Sequence, residues 1–234
     1  MASKRELQIE RVCSLVELGA RQAGDELENI ANSEGDSGAL ALINELPVAT
    51  VTEILTAYDY TTYSIIPYLI TPEKVKDIVK NAPAFWNANS FVSSDYDDIQ
   101  RSAQDLLTHL VLVQQDTQRQ ITIIKSIAEI EEGLNLFIIA LIGVESISND
   151  EAFNYLDNLF DNVSLSEQGS VSELLEIMRK HTPDVLTIIK TYSQSDKWQQ
   201  LVLSLGDFMR KKALKERHGI NDDFDDMFTK IQDW

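Results

Sequence analysis

Thr71-Pro72-Glu73-Lys74-Val75-Lys76-Asp77-Ile78-Val79-Lys80 is the stretch that decides how this chain folds. Thr71 can cap a helix through its hydroxyl. Pro72 at the first helical position loses no useful N–H, and Glu73 faces the positive end of the helix dipole. Val75, Ile78 and Val79 then recur at helical spacing. A helix of about three turns has one apolar face and nothing of its own to bury it against, so it must stack on neighbours.

The same pattern extends outward over residues 38–83. Leu46-Pro47, Tyr58-Asp59, Thr71-Pro72 and Ala82-Pro83 punctuate the chain at intervals of about a dozen residues. Between them lie Val51, Ile54 and Leu55, then Ile65, Ile66 and Leu69, all at helical spacing. The spacing and the Leu-Pro marks resemble the short-helix arrays of the cytosolic N domain of magnesium transporters and of flagellar switch proteins. The resemblance covers residues 38–83 and implies stacked helices, with no function attached. The punctuation returns later, at Ser170, Thr182-Pro183-Asp184 and Ser195-Asp196. Ser170 with Glu173 forms a capping box, and Thr182-Pro183-Asp184 repeats the chemistry of Thr71-Pro72-Glu73.

The flanking segments also read as helices. Residues 4–31 place Leu7, Val12, Leu15, Leu18, Leu27 and Ile30 on one face, with Gly19 and Gly24 weakening the middle. Residues 32–38 read as a polar loop, and residues 84–94 as an aromatic-bearing linker. A long helix is expected over 95–131, with a seam of Ile99, Ala103, Leu106, Leu110, Val113, Ile124 and Ile127 interrupted by Thr117 and Gln120. Gly133 should bend or end it. Residues 134–147 form the most apolar element, expected at the centre of the fold. Phe153, Leu156, Leu159 and Phe160 mark a further helix, and a last one runs from about 196 to 217. No run alternates with period two. The expected class is all-α: a multi-helix bundle with short stacked-helix segments at both ends of a long central helix. The expected domains are 1–94, 95–218 and an acidic amphipathic tail, 219–234.

Composition narrows the function classes. The chain has 234 residues, 44% of them hydrophobic, with only 9 Gly and 5 Pro. That suits a packed core and is poor in the turn residues an all-β fold needs. Its formal net charge is −18, from 38 acidic and 20 basic residues, which disfavours direct binding to DNA or RNA. A well-solvated surface explains the acidity most simply. The sharper reading is a surface that engages a basic partner. A single cysteine, Cys13, excludes a disulfide framework and reads as a small buried side chain in a reducing compartment. The start has no apolar signal-like run. The longest apolar stretch, Leu134 to Val144, is far short of a membrane span of roughly 20 residues. A cytoplasmic location without membrane association is therefore expected.

No catalytic, cofactor-binding or metal-binding set emerges. His109, His181 and His218 stand apart, with no His-Glu-x-x-His or Glu-x-x-His. His109 reads as a half-buried bundle residue, and the other two sit at expected helix ends. Phosphate-binding glycine loops and a nucleophile elbow are absent from the sequence. The run from Asn221 to Asp226 lacks the mid-loop glycine and closing glutamate of a calcium loop.

The tail carries the functional expectation. Phe224, Met227, Phe228, Ile231 and Trp234 lie at steps of three and four, with Asp222, Asp223, Asp225 and Asp226 beside them. On a helix the five apolar residues form one face, suited to a partner's groove and rich in the residue types that dominate interfaces. The same face could instead dock on the chain's own body. The expectation is a non-enzymatic protein-binding adaptor, assembly factor or regulator. Its partner would be a protein with a basic or grooved surface, and homo- or hetero-oligomerisation is left open. The alternative is an acidic, phage-type inhibitor that imitates nucleic acid in the cleft of a DNA- or RNA-binding protein. An enzyme of unrecognised type is the third and least supported reading.

Overall fold

The computed structural model describes residues 3–57, 64–81, 96–142, 170–201 and 203. Every regular element among them is helical, so the all-α class holds. In chain order the helices are α1 (Lys4–Leu18), α2 (Ala20–Glu34), α3 (Asp36–Glu45), α4 (Val48–Ala57), α5 (Ile66–Leu69), α6 (Pro72–Lys80), α7 (Tyr96–Leu107), α8 (Thr117–Ala128), α9 (Glu131–Ile142), α10 (Ser170–His181) and α11 (Pro183–Ser193). A π-turn, Thr108–Leu112, extends α7, and residues 196–201 are helical as well.

α6 forms as its residues dictate. The Thr71 hydroxyl accepts from the Lys74 N–H at 3.2 Å, and Pro72 occupies the first helical position. Val75, Ile78 and Val79 are buried. The cap contributes about 1 kcal/mol. Burying three aliphatic side chains contributes on the order of 5–8 kcal/mol before entropy. Packing therefore decides the element. α6 lies between α4 on one side and α8 and α9 on the other. It joins an N-terminal stack, α1 to α5, to the helices that follow.

Several boundaries differ from expectation. The single helix over 4–31 is two helices broken at Gly19, whose extended backbone (φ 160°) cannot continue a helix. The break lets α1 fold back on α2, a gain that local periodicity does not record. The polar loop at 32–38 shrinks to Gly35, with φ 81°. This is left-handed backbone that glycine adopts at little cost. Tyr58-Asp59, Ala82-Pro83, the 84–94 linker and the Phe153–Phe160 helix lie outside the described residues.

The long helix expected over 95–131 is divided. α7 passes into the π-turn, the chain turns at residues 113–116, and α8 starts afresh on Asp116, whose carboxylate accepts from the Gln118 N–H at 3.1 Å. The seam survives in part: Ala103, Leu106, Leu110, Ile124 and Ile127 are buried, on two helices, while Ile99 and Val113 are only half-buried. α9 is apolar nearly all round, with Leu134, Leu136, Phe137, Ile138, Ile139, Ala140 and Leu141 buried at the centre. Gly133 sits in its first turn and neither ends nor bends α8. A Cβ there would fall 1.8 Å from the Ile127 carbonyl oxygen, so its role is clearance at a tight corner.

Thr182 does not repeat the chemistry of Thr71. It is fully buried, makes no side-chain cap, and turns its hydroxyl back to the Met178 carbonyl at 3.4 Å. Burial removed the hydroxyl from the helix start it was expected to cap. A capping box does form at Ser3 and Glu6, where the sequence Ser-x-x-Glu carried the signal unread.

Candidate functional site

The residues expected to bind a partner, Asp222, Asp223, Phe224, Asp225, Asp226, Met227, Phe228, Ile231 and Trp234, lie outside the described residues. His218 does too. The described body offers two other places where charge is concentrated: the seam between the N-terminal stack and the rest, and the outer face of α1.

At the seam two basic side chains are turned inward. Lys74 is only 6% exposed. Its ammonium donates to the Leu46 carbonyl at 2.6 Å and to the Asn44 carbonyl at 3.3 Å. These oxygens belong to the carboxyl end of α3, where helix carbonyls lack internal partners and the dipole is negative. Burial pulls the Lys74 ammonium below the usual lysine range, and Asp77 nearby opposes that shift. The cation thus caps a helix from another element.

Arg119 does the same for residues 67–70. Its guanidinium donates to the Ile70 carbonyl at 2.8 Å, the Pro67 carbonyl at 3.3 Å and the Gln114 side-chain oxygen at 2.8 Å. Gln114 is itself buried and donates to the Pro67 carbonyl at 2.9 Å, while the Tyr68 hydroxyl donates to the Val113 carbonyl at 3.0 Å. Burial lowers the Arg119 pKa, with Asp116 and Tyr68 acting the other way. The turn that divides the expected long helix is therefore the turn that grips the N-terminal stack. Gln120, read from sequence as an interruption, closes the same network by donating to the Gln114 carbonyl at 2.8 Å. Beside it lies a shallow cleft of about 240 Å³, lined by Ile70, Pro72, Asp116, Arg119, Thr122 and Ile123.

On the outer face, α1 and α2 run antiparallel. Lys4 pairs with Glu34 at 2.7 Å and Arg11 with Glu26 at 2.9 Å. Arg5 reaches the Gly38 carbonyl at 3.2 Å and lies 3.8 Å from Glu45. The bonds from Lys4 and Gln8 hold the Glu34 carboxyl below its usual range.

The remaining candidates have structural roles. The His109 Nδ1 lies 2.7 Å from the Asp105 carbonyl, one helical turn back, on a half-buried ring. His181 ends α10 in a turn with Arg179 and Lys180, as the helix dipole favours. Cys13 is half-buried, not fully buried as expected, because α1 rests on one shallow face; its sulfur lies 3.9 Å from the Thr50 hydroxyl. Tyr192 packs against Trp198 with ring centroids 6.5 Å apart. Burial, with Glu131 beside it, holds the Tyr192 hydroxyl well above the usual tyrosine range. Among the described residues no group of three His, Cys, Asp or Glu side chains is placed to hold a metal, and no helix is long and apolar enough to cross a membrane.

Comparison with known proteins divides the chain at the same seam. The family model of the AtcB N-terminal domain matches residues 2–69, and that of the AtcB C-terminal domain matches residues 72–216. The chain is 24% identical over 246 residues to "Adaptation to cold protein B" of Shewanella oneidensis, a match covering 96% of each chain. No solved structure matches. The two family regions meet at Ile70 and Thr71, between the carbonyl that Arg119 holds and the hydroxyl that caps α6.

Proposed function

The chain belongs to the AtcB family, and from that premise we propose that it is a non-enzymatic protein-binding protein, a helical adaptor whose carboxyl-terminal segment docks on a partner protein. The observation that carries this reading is the spacing of Phe224, Met227, Phe228, Ile231 and Trp234, one apolar helical face set among aspartates. Phe and Trp supply large contact area for few rotatable bonds, Met adapts to an irregular surface, and the acidic flank selects a partner with basic residues around its groove.

The body supports the reading. Its inward-turned cations, buried Lys74 and half-buried Arg119, are spent on backbone carbonyls at the seam, which fixes one stack of helices against the other. A fixed body that displays a docking segment is what an adaptor requires. The relative's name links that protein to adaptation to cold, and we extend the link to this chain as the process in which the adaptor acts.

The test compares the full chain with a form ending at Gly219, both tagged at the amino terminus and both used to capture partners from the native host. A partner held by the full chain and lost by the shortened one supports the proposal. Equal capture of the same partners by both forms overturns the assignment of docking to the tail.

A further inference from the structure

α1 is held differently from every helix around it. Across its 15 residues only Val12 is fully buried. Ile9, Cys13, Leu15 and Val16 are partly buried, while Leu7 is 55% and Leu18 75% exposed. By contrast α2 buries Ala23, Leu27, Ile30 and Ala31.

What α1 lacks in apolar contact it replaces with charge. Lys4, Arg5 and Arg11 are all of its basic residues, and each reaches across to Glu34, Glu45 or Glu26. Lys4 and Arg11 are largely exposed, though Glu34 and Glu26 opposite them are mostly covered, so the cationic side of each pair is open to screening by salt. Exposed pairs of this kind are weak holders. The connection to α2 is one residue, Gly19, which carries no side chain to pack. A helix with one buried anchor, screened ion pairs and a glycine joint opens before a helix with four buried anchors.

We propose that α1 is a displaceable strap over a groove on α2, α3 and α4, and that a basic amphipathic helix of a partner protein takes its place there. α1 packs on all three of those helices. Its departure uncovers apolar surface and leaves Glu26, Glu34 and Glu45 without the cations they hold now. Acidic residues on two elements then flank an apolar floor. The ligand that fits repeats the chemistry of α1: Lys or Arg seven residues apart, as at Lys4 and Arg11, beside a buried aliphatic residue such as Val12. Charge excludes the chain's own tail from the groove, because Asp222, Asp223, Asp225 and Asp226 would meet Glu26 and Glu34.

The proposal takes from the adaptor reading only the existence of a partner. Opening of α1 is read on the chain alone, and removing residues 219–234 leaves α1 intact, so the two can fail separately.

The experiment uses the full chain. Hydrogen exchange is followed at about 0.05 M and 0.5 M salt, concentrations that bracket effective screening of exposed charges. A fluorescein-labelled peptide of residues 3–18 is the binding probe, read by anisotropy. The α1 amides should exchange about tenfold or more ahead of those in α2, and further ahead at high salt, with α8 and α9 unchanged. The peptide should bind saturably, and the triple variant E26Q/E34Q/E45Q should weaken its binding several-fold. Equal protection of α1 and α2 at both salt concentrations overturns the proposal, as does failure of the peptide to bind. A salt-sensitive dimer of the chain, seen by sedimentation in place of peptide binding, assigns the groove to a second copy and overturns the choice of partner.

Discussion

The Lys74 ammonium lies 2.6 Å from the Leu46 carbonyl oxygen, so a lysine on α6 terminates α3. The contact crosses from one family region to the other, and it offsets part of what burial costs the ammonium. The cation meets the negative end of a helix, and two carbonyls that the helix cannot satisfy receive a donor.

Replacing Lys74 with Met keeps the stem and removes the ammonium. Hydrogen bonds to a charged group are worth about 1.5–3 kcal/mol, so K74M should lower unfolding stability by about that amount in urea titrations near neutral pH. The pH dependence has a definite sign. Burial depresses the Lys74 pKa in the folded chain below the ordinary 10.5. The unfolded chain then binds more protons between the folded value and 10.5, and the contribution of Lys74 to stability rises with pH across that window. The difference between the wild-type chain and K74M should widen in favour of the wild type as pH approaches 10.5 from below. A constant difference would show that Lys74 titrates as it does in the unfolded chain.

Arg119 should not tolerate lysine. A lysine carries a point charge and cannot span the Pro67, Ile70 and Gln114 acceptors that the planar guanidinium reaches together. R119K should cost about 1–3 kcal/mol. Its signature is local: amide exchange should accelerate in α5 and at residue 70 before it changes in α2.

Two glycines separate steric from conformational cost. At Gly133 an added Cβ meets the Ile127 carbonyl oxygen at 1.8 Å, which no side-chain movement relieves. G133A should lose about 3 kcal/mol or more, because two helices must part to admit the methyl. At Gly35 nothing lies within 4 Å, and only the φ of 81° resists substitution. G35A should cost about 1–2 kcal/mol. Thermal melts of the two variants, run side by side, should rank G133A well below G35A.

Exposed ion pairs should matter little. Lys197 reaches Glu131 at 2.5 Å with both side chains well exposed, and Lys76 pairs with Glu129. K197M and E129Q should each change stability by less than about 1 kcal/mol, with even that difference fading at high salt. A larger loss would show that these pairs hold more than surface charge.

The amino-acid sequence determined the helical class, the buried seam and the position of α6, because those depend on apolar spacing and on caps that act within a few residues. Thr71, Pro72 and Glu73 need no tertiary partner to begin a helix. The central element, α9, was equally plain from Leu136 to Leu141, since a helix apolar on all sides has nowhere to lie but the interior. Only the tertiary structure decided where helices end and turn back. Gly19 and Gly133 look alike in sequence. One joins two antiparallel helices, and the other clears a carbonyl six residues away. Neither Lys74 nor Arg119 stands out by any local pattern. Their roles depend on carbonyls 28 and 49 residues away along the chain, a distance no local pattern spans. The same holds for α1: its residues form a helix by spacing alone, but its weak hold appears only when burial and ion pairs are weighed against those of α2.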